Sequence, residues 1–293
     1  MVDYRVRTFL QLYETMNYRR TAELLRLSQP AVSQQIHSLE GEYGCKLFVY
    51  DGRRLHRTEQ ADQVAAYARS ALYNEQQLLR ELKKPAVRQI RIGATKTIGE
   101  FVVAEQLGRY ICRTDGNLTV VVDNTEVLLG KLEHEELDFA LVEGAFNKQK
   151  YGHALYQRAR FLGMCHRSHP FAGRMVSLEE LAGQSVVLRE KGSGTRAILE
   201  NTLAEYGYSV EMFSRIICAS SFSLIAHFVE AGAGITFAYS AVAAARRDIA
   251  PFHLSCLQEE REFHIVYLRG TKVFPLIREV LGQEIPLPEE QIP

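Results

Sequence analysis

The sequence predicts an α/β protein in three parts: a small helical unit ending in a β-hairpin, one long helix, and a larger α/β domain. Three observations predict this organisation. Residues 18–44 have the pattern of two short helices joined by a tight turn, and residues 58–84 contain neither Gly nor Pro. From residue 88 onward, short apolar strands alternate with helices, which is typical of parallel sheets with helical crossovers. A chain of 293 residues is long enough for about two domains.

Composition and charge are those of an ordinary globular protein, with 46% hydrophobic and 10% aromatic residues. Residues 1–87 contain 13 Lys and Arg against 10 Asp and Glu, whereas residues 88–293 contain 22 against 25. This mild asymmetry has the sign expected of a nucleic-acid-binding unit on a neutral body. The first residues are too polar for a secretion signal, and no apolar run approaches about 18 residues. We therefore expect a cytoplasmic protein with no membrane partner.

The first two helices are predicted from their apolar spacing. Apolar side chains at Val6, Phe9, Tyr13 and Met16 fall on one face, which predicts a helix over residues 3–16. A second helix is predicted over residues 21–25, after an interruption at Asn17 and Tyr18. We expect Leu27, in the turn that follows, to complete the core of a three-helix unit.

The third helix is predicted to start at Ser28 and to end at Gly44. The Ser28 hydroxyl can accept a hydrogen bond from an unpaired amide of the first turn, and Gln29 and Pro30 fall in that turn, where a missing proline N–H is harmless. Apolar residues then recur with helical spacing at Val32, Ile36 and Leu39.

The opposite face of this helix carries short hydrogen-bonding side chains and no carboxylate before Glu40. Its members are Pro30, Ser33, Gln34 and His37. Amide and hydroxyl groups of this kind read base edges in the DNA major groove. The alternative is that this is simply the solvent-facing side of an amphipathic helix.

A β-hairpin is predicted next, because Asp51-Gly52 is a two-residue turn signal between apolar segments. Arg53, Arg54 and Arg57 cluster at and beyond its tip. Arginines on a hairpin beside a recognition helix can contact phosphates or the minor groove. The alternative is that these charges only face solvent.

The long helix over residues 58–84 is predicted to be capped by Thr58 and ended by Lys83, Lys84 and Pro85. Its apolar residues keep alternating spacings of four and three, broken at Glu75, and a helix of this length would extend about 40 Å. A unit of sixty residues cannot cover such a stripe. We therefore expect a second copy of the chain to pair with it in a coiled-coil-like seam.

These segments, and above all the run AELLRLSQPAVSQQIHSLEGEYGCKLF, resemble the LysR-type transcriptional regulators. The chain departs from that family's usual pattern at Gln34, Tyr50 and Gln60-Ala61. The resemblance implies a fold with an N-terminal winged helix-turn-helix, a long linker helix and a two-lobed effector domain like that of periplasmic binding proteins. It implies domain limits of 1–58, 59–87 and 88–293, with lobe I at 88–160 and 267–293 and lobe II at 161–266.

The resemblance also implies the partners. A homodimer or homotetramer is expected to bind double-stranded DNA with an inverted-repeat operator, and a small-molecule effector is expected between the lobes. The DNA-binding residues expected from the helix face and the hairpin are Ser28, Gln29, Pro30, Ser33, Gln34, His37, Arg53 and Arg54.

The expected effector site follows from the strand ends of the α/β domain, where ligands collect at helix N-termini. The turns after the strands QIRIGA and LTVVVD carry hydroxyl groups, as do the run Gly192-Ser193-Gly194-Thr195 and the turn at Ser220. Free backbone amides and hydroxyl donors favour an anion; the alternative is a set of ordinary capped turns. The predicted effector-binding residues are Thr95, Lys96, Thr97, Thr125, Ser193, Gly194, Thr195 and Ser220, with Lys96 and Arg196 as the only cations near the site.

Other functions are less well supported by the sequence. Cys165, His166 and His169 could ligate a metal, but we interpret them as a strand end and its turn. The five cysteines are scattered without a CxxC pair, which indicates reduced thiols, although Cys218 near Ser220 leaves a redox sensor open. A solute-binding protein is the alternative from another class, and it does not account for the N-terminal unit. No nucleophile elbow, Walker loop or HExxH motif is present, so we predict neither an enzyme nor a cofactor.

Overall fold

Three helices form the N-terminal unit of the protein, whose computed structural model describes residues 2–83, 88–244, 246–258 and 260–282. They are α1 (Tyr4–Thr15), α2 (Tyr18–Leu25) and α3 (Gln29–Tyr43). The first turn of each is capped by the side chain that precedes it, from Asp3, Asn17 and Ser28 respectively. Their apolar faces meet in one core, which confirms the predicted helix-turn-helix.

Leu27 does not complete this core, so that prediction is wrong. Arg26 ends α2 in a left-handed conformation, with φ at 55°, and Leu27 is 39% exposed. Leu47 and Phe48, which follow α3, are buried in the core instead.

The hairpin consists of the antiparallel strands β1 (Phe48–Tyr50) and β2 (Leu55–Arg57). Its turn has four residues, 51–54, rather than the two predicted. The reason is the Asp51 carboxylate, which accepts the backbone N–H groups of Arg53 at 2.8 Å and Arg54 at 2.7 Å and so closes a wider loop. The Arg54 N–H has the largest effect on the pKa of Asp51, and together with the Arg53 N–H and the His56 ring it lowers this pKa to about 2.

Glu40 fixes the hairpin against α3. Its buried carboxylate accepts the N–H groups of Leu47 at 2.9 Å and Phe48 at 3.3 Å, and it pairs with Lys46 at 2.7 Å. Burial by itself would raise the pKa of Glu40, but these donors outweigh it and the pKa lies below its usual value. Glu40 therefore ties α3 to the start of the hairpin.

The long helix α4 (Glu59–Lys83) begins after Thr58, whose hydroxyl accepts the Ala61 N–H at 3.1 Å as predicted. Ala61 and Ala65 are buried against the N-terminal unit. The predicted end at Lys84 and Pro85 lies outside the described residues.

The second half of α4 is covered by its own chain, which the sequence argument did not anticipate. The Tyr73 hydroxyl donates to Asp138 at 3.2 Å, and Ser70 and Asn74 donate to the backbone carbonyls of Arg269 and Gly270. One side of α4 nevertheless stays uncovered. Its exposed large apolar side chains are Tyr67, Leu78, Leu79 and Leu82.

Arg69 of α4 lies buried where the N-terminal unit meets the α/β domain. Its guanidinium pairs with Glu14 of α1 and, at 3.3 Å, with Glu133 of the α/β domain. The Tyr13 ring of α1 lies 5.3 Å from the same guanidinium. One buried cation thus holds three elements together.

The α/β domain is built on an eight-stranded sheet with the order β4-β3-β5-β12-β6-β11-β7, and β10 pairs with β6. Strands β3, β4 and β5 are parallel, as the alternation predicted. A separate parallel pair, β8-β9, lies in the second half of the domain. The strands are β3 (Gln89–Ala94), β4 (Asn117–Val122), β5 (Phe139–Glu143), β6 (Tyr151–His166), β7 (Met175–Val176), β8 (Ser185–Leu188), β9 (Arg215–Cys218), β10 (Thr236–Tyr239), β11 (Ile249–Leu254) and β12 (Glu260–Leu268).

The helices of this domain cover both faces of the sheet. A π-helical segment, Ile98–Val102, precedes the first of them. They are α5 (Ala104–Ile111), α6 (Thr125–Glu133), α7 (Leu178–Leu181), α8 (Gly194–Glu205), α9 (Phe222–Glu230), α10 (Ser240–Ala243) and α11 (Phe274–Leu281). No helix in the described ranges is both long and apolar enough to cross a membrane.

Strand β6 starts ten residues before the predicted Phe161, and β12 starts at Glu260 rather than Phe263. The segment 151–160 is rich in polar residues, so its apolar pattern is weak, yet it pairs with β12 along its whole length. The C-terminal half of β6 pairs with β10 and β11, of which β11 was not predicted. Two long antiparallel strands therefore join the two halves of the domain.

Candidate functional site

The predicted reading face of α3 lies at the surface. Ser28, Gln29, Pro30, Gln34 and His37 are exposed, and Ser33 is half-buried. The Ser28 hydroxyl is used as the helix cap, where it accepts the Ala31 N–H at 3.3 Å. The remaining polar side chains of the face are directed away from the core.

A groove between α3 and the hairpin brings part of the predicted set together. Its lining includes Gln29, Ser33 and His37 from the helix and Arg53 and Arg54 from the hairpin. Pro30 and Gln34 lie outside it, on the exposed part of the same helix.

Several residues of this groove were not predicted from the sequence. Tyr18 and Arg19 at the start of α2 and Tyr50 at the end of β1 line it as well. The Asn17 cap was the available signal, because it places the N-terminus of α2 beside α3. Arg57, by contrast, stacks at 4.0 Å on the Tyr13 ring and so turns toward α1 rather than into the groove.

The second candidate site lies where the ends of β3 and β5 meet the start of α8, and we call this junction the cleft. The Thr95 N–H donates to the Leu141 carbonyl of β5 at 3.0 Å, so Thr95 and Glu143 end neighbouring strands. Contacts cross the cleft from Phe101 to Phe222, whose ring centroids are 5.5 Å apart. An added Cβ at Gly194 would lie 3.8 Å from Oε1 of Glu143.

The hydroxyl groups of the cleft are of two kinds. Oγ1 of Thr95, which is 4% exposed, and of Thr97, which is fully buried, have no hydrogen-bond partner within the described part of the chain. The Ser193 and Thr195 hydroxyls bond each other at 2.9 Å, and the Thr125 hydroxyl donates to the Glu143 carbonyl at 3.0 Å. Thr95 and Thr97 therefore hold free donors, whereas Thr125 is used in the fold.

Two helices that begin at the cleft also lack the cap that the N-terminal helices have. The residues that precede them, Ser193 before α8 and Ser221 before α9, make no side-chain cap hydrogen bond. By contrast, Asn124 caps α6 at 3.0 Å through the Val127 N–H. A helix N-terminus carries about half a positive charge, so α8 and α9 favour negative charge here.

The cations of the cleft differ from the predicted pair. Arg196 is buried, and its guanidinium donates to the Arg189 carbonyl at 3.1 Å and pairs with Glu200 at 2.7 Å. Arg189 was missed: its buried guanidinium lies 4.3 Å from the Phe222 ring and pairs with Glu190 at 2.8 Å. The prediction of Lys96 and Arg196 as the only nearby cations is therefore wrong.

Glu190 neutralises charge across the cleft. It pairs with Arg189 and, at 3.2 Å, with Lys96, which also donates to the Ser220 carbonyl at 3.4 Å. Partial burial would raise the pKa of Glu190, but the bonds from Arg189, from its own backbone N–H and from Lys96 bring it to about 2. Ser220 itself is exposed and contributes its carbonyl rather than its hydroxyl.

Cys165, His166 and His169 are placed as ordinary structural groups. Cys165 is buried with Sγ 3.6 Å from the Ala250 carbonyl, and burial raises its pKa to about 11. His166 bonds Ser168 at 2.7 Å, and His169 accepts the Phe171 N–H at 3.1 Å. Cys218 is exposed, with Sγ 3.6 Å from the Arg189 carbonyl.

Two family models match the chain in succession. Residues 4–62 match the bacterial regulatory helix-turn-helix protein, lysR family, and residues 83–283 match the LysR substrate binding domain. The RuBisCO operon transcriptional regulator of Allochromatium vinosum is 27% identical over 279 residues, which cover 92% of this chain and 91% of that protein. The HTH-type transcriptional regulator CysL of Bacillus subtilis is 28% identical over 207 residues, which cover 69% of each.

A solved structure of full-length OxyR from Pseudomonas aeruginosa has the same fold, with a TM-score of 0.61 at 19% identity and 99% coverage of both chains. The two family-model matches also agree with the structure. Residues 4–62 contain the helix-turn-helix, and residues 83–283 contain the eight-stranded sheet. The protein belongs to the LysR family of transcriptional regulators, with an N-terminal DNA-binding domain and an effector-binding domain.

Proposed function

We propose that this LysR-family regulator binds an inverted-repeat operator as a homo-oligomer and that a small anion in the cleft modulates its binding. An anionic effector is supported mainly by the buried hydroxyls of Thr95 and Thr97, which have no hydrogen-bond partner in the described chain. Two helices without a side-chain cap, α8 and α9, begin at the same cleft. Buried polar groups in native structures are almost always paired, so these two hydroxyls are available to hydrogen-bond a ligand. The regulator acts in the cytoplasm, where the DNA is.

A thiol switch is less well supported than an anion effector. A redox-sensing cysteine needs a thiolate and usually a second thiol that resolves it. Burial raises the pKa of Cys165 to about 11 and also raises that of Cys256, so both resist ionisation. The likeness to OxyR is a likeness of fold.

DNA recognition is assigned to the exposed face of α3 and the tip of the hairpin. Gln29→Ala or Gln34→Ala should weaken binding to the preferred operator by about 1–3 kcal/mol, because an amide that reads a base edge is lost. Arg53→Ala should instead weaken specific and random DNA alike and reduce the salt dependence, because a phosphate contact is lost. Fluorescence anisotropy on both DNAs at several salt concentrations measures each effect.

Arg158→Ala is the matched control, since this exposed arginine pairs with Glu260 far from α3. Unchanged binding of Gln29→Ala and Gln34→Ala to both DNAs would contradict the assignment.

The uncovered side of α4 is assigned to the oligomer seam. Tyr67 is 73% exposed and Leu82 is 70% exposed on one side of a helix whose other side is packed. The double variant Leu78→Glu, Leu82→Glu should dissociate the oligomer, because charges on an apolar seam are unfavourable. Sedimentation gives the mass, and Tyr206→Glu, an exposed aromatic of the effector domain, is the control. An unchanged mass with unchanged DNA affinity would exclude this seam.

The anion site is tested by thermal stability. Sulfate, nitrate or acetate should raise the melting temperature by an increment that grows with concentration, because a ligand that binds only the folded state stabilises it. Thr95→Val and Thr97→Val should remove this increment, since each deletes one free donor at nearly constant volume.

Thr202→Val is the control, because its hydroxyl is buried in α8 but donates to the Ile198 carbonyl instead of facing the cleft. Stabilisation by an amine or a flat aromatic compound, with the three anions inert, would refute the anion site and leave the regulator assignment intact.

A further inference from the structure

Glu143, at the end of β5, places a carboxyl group in the site that the proposed function gives to an anion. Its Oε2 is buried and has no hydrogen-bond partner among the residues described. Its Oε1 would lie 3.8 Å from a Cβ at Gly194, so the carboxyl is directed at the start of α8. Two negative charges in one dry site repel each other, so this carboxyl must be accounted for before an anion can bind.

The groups that face Glu143 come from every element around it. From β10, the Tyr239 hydroxyl lies near the carboxyl and lowers its pKa. From the loop before α8, Arg189 acts through its charge, but its guanidinium is held by Glu190. From α6, Thr125 donates only to the backbone carbonyl of Glu143. In β12, Phe263 is the register partner, and Arg261 acts on Tyr239.

The charges of the cleft depend on the state of Glu143. Lys96 and Arg189 share the single carboxylate of Glu190, and Arg196 is paired with Glu200. These groups together leave one positive charge. An ionised Glu143 cancels that charge, whereas a protonated Glu143 leaves it available to a ligand.

The protonated state is accessible near neutral pH. Burial raises the pKa of Glu143 to about 7, although the Tyr239 hydroxyl and the Arg189 charge act in the opposite direction. A carboxyl that is neutral near pH 7 can donate a hydrogen bond to an anion, as carboxylic acids in apolar sites do. An anion bound beside it would raise this pKa further, because the ionised form would then face a like charge.

We infer that the anion binds together with one proton, which is carried by Oε2 of Glu143 and donated to the anion as a hydrogen bond. This inference rests on the proposed anion site and adds how that site selects among anions. The proton comes from solvent and returns to it on release, and no covalent bond of the ligand changes. The site therefore takes anions that accept a hydrogen bond, and it weakens as the carboxyl ionises.

The pH dependence follows from this linkage. Below about pH 7 Glu143 is already protonated, so the affinity for a non-titrating anion is level. Above about pH 7 a proton must be taken up, so the affinity should fall by up to about tenfold per pH unit. Sulfate, nitrate and acetate are suitable probes because none of them loses or gains a proton between about pH 6 and pH 9.

The experiment is isothermal titration of the full-length protein with these three anions in buffers of different ionisation enthalpy. Near pH 8.5 the wild-type protein should take up about one proton per anion, and near pH 6 it should take up almost none. Glu143→Gln keeps a donor in the form of its amide, so it should bind the anion with no proton uptake and with level affinity from about pH 6 to about pH 8.5. Glu100→Gln removes an exposed carboxylate near the cleft and should behave as the wild type does.

Binding by the wild-type protein without proton uptake near pH 8.5 would overturn the inference and leave the anion site standing. Failure of all three anions to bind near pH 6 would overturn the anion site itself, and the inference with it. The wild-type measurement decides between these outcomes even if Glu143→Gln does not fold.

Discussion

The position of the DNA-binding unit depends on Arg69, a cation buried between two domains. Its guanidinium is shared by Glu14 of the N-terminal unit and Glu133 of the effector domain. Glu133 also accepts a hydrogen bond from the Tyr151 hydroxyl and pairs with Lys150. These contacts fix Glu133 within the effector domain. Moving the two domains apart would leave a buried charge without half its partners, which is among the more destabilising changes a protein can undergo. The long helix is therefore a fixed connection rather than a loose tether.

The cleft has the opposite character, because some of its polar groups are left unpaired. Arg189 and Lys96 both pair with the single carboxylate of Glu190. The hydroxyls of Thr95 and Thr97 and one oxygen of Glu143 have no partner in the described structure. Unpaired groups of this kind destabilise the folded protein, and a ligand that pairs them recovers that free energy. The fold thus pairs the cations of the cleft with carboxylates and leaves hydrogen-bonding capacity for a ligand.

Much of the fold could be predicted because its signals are local. Ser28, Thr58 and Asp51 act through the next three residues. The sequence places Ser28 and Thr58 correctly as caps and Asp51 in the hairpin turn, although that turn is longer than predicted. Leu27 and the first ten residues of β6 were placed wrongly because their burial depends on contacts with distant segments. The packing of the effector domain on α4 was not predicted either, because the residues that Ser70 and Tyr73 contact lie more than sixty positions away along the chain.

The candidate sites divide in the same way. Gln29, Ser33 and His37 share a helix face, and helical spacing alone brings them together. The charge of Arg189 acts on Glu143 only because two halves of the effector domain pack together, and each looks like an ordinary charged residue at the end of an apolar strand. The sequence predicted the hydroxyl turns of the cleft, whereas the carboxyl among them required the structure.

The central claim is that occupancy of the cleft changes DNA binding. The most direct test is the affinity of the full-length protein for its own upstream DNA, measured with and without sulfate, nitrate or acetate at constant ionic strength. We predict that at least one of these anions shifts the affinity of the wild-type protein and leaves that of Thr95→Val unchanged. An anion that stabilises the wild-type protein through the cleft but leaves its DNA affinity unaltered would contradict the claim.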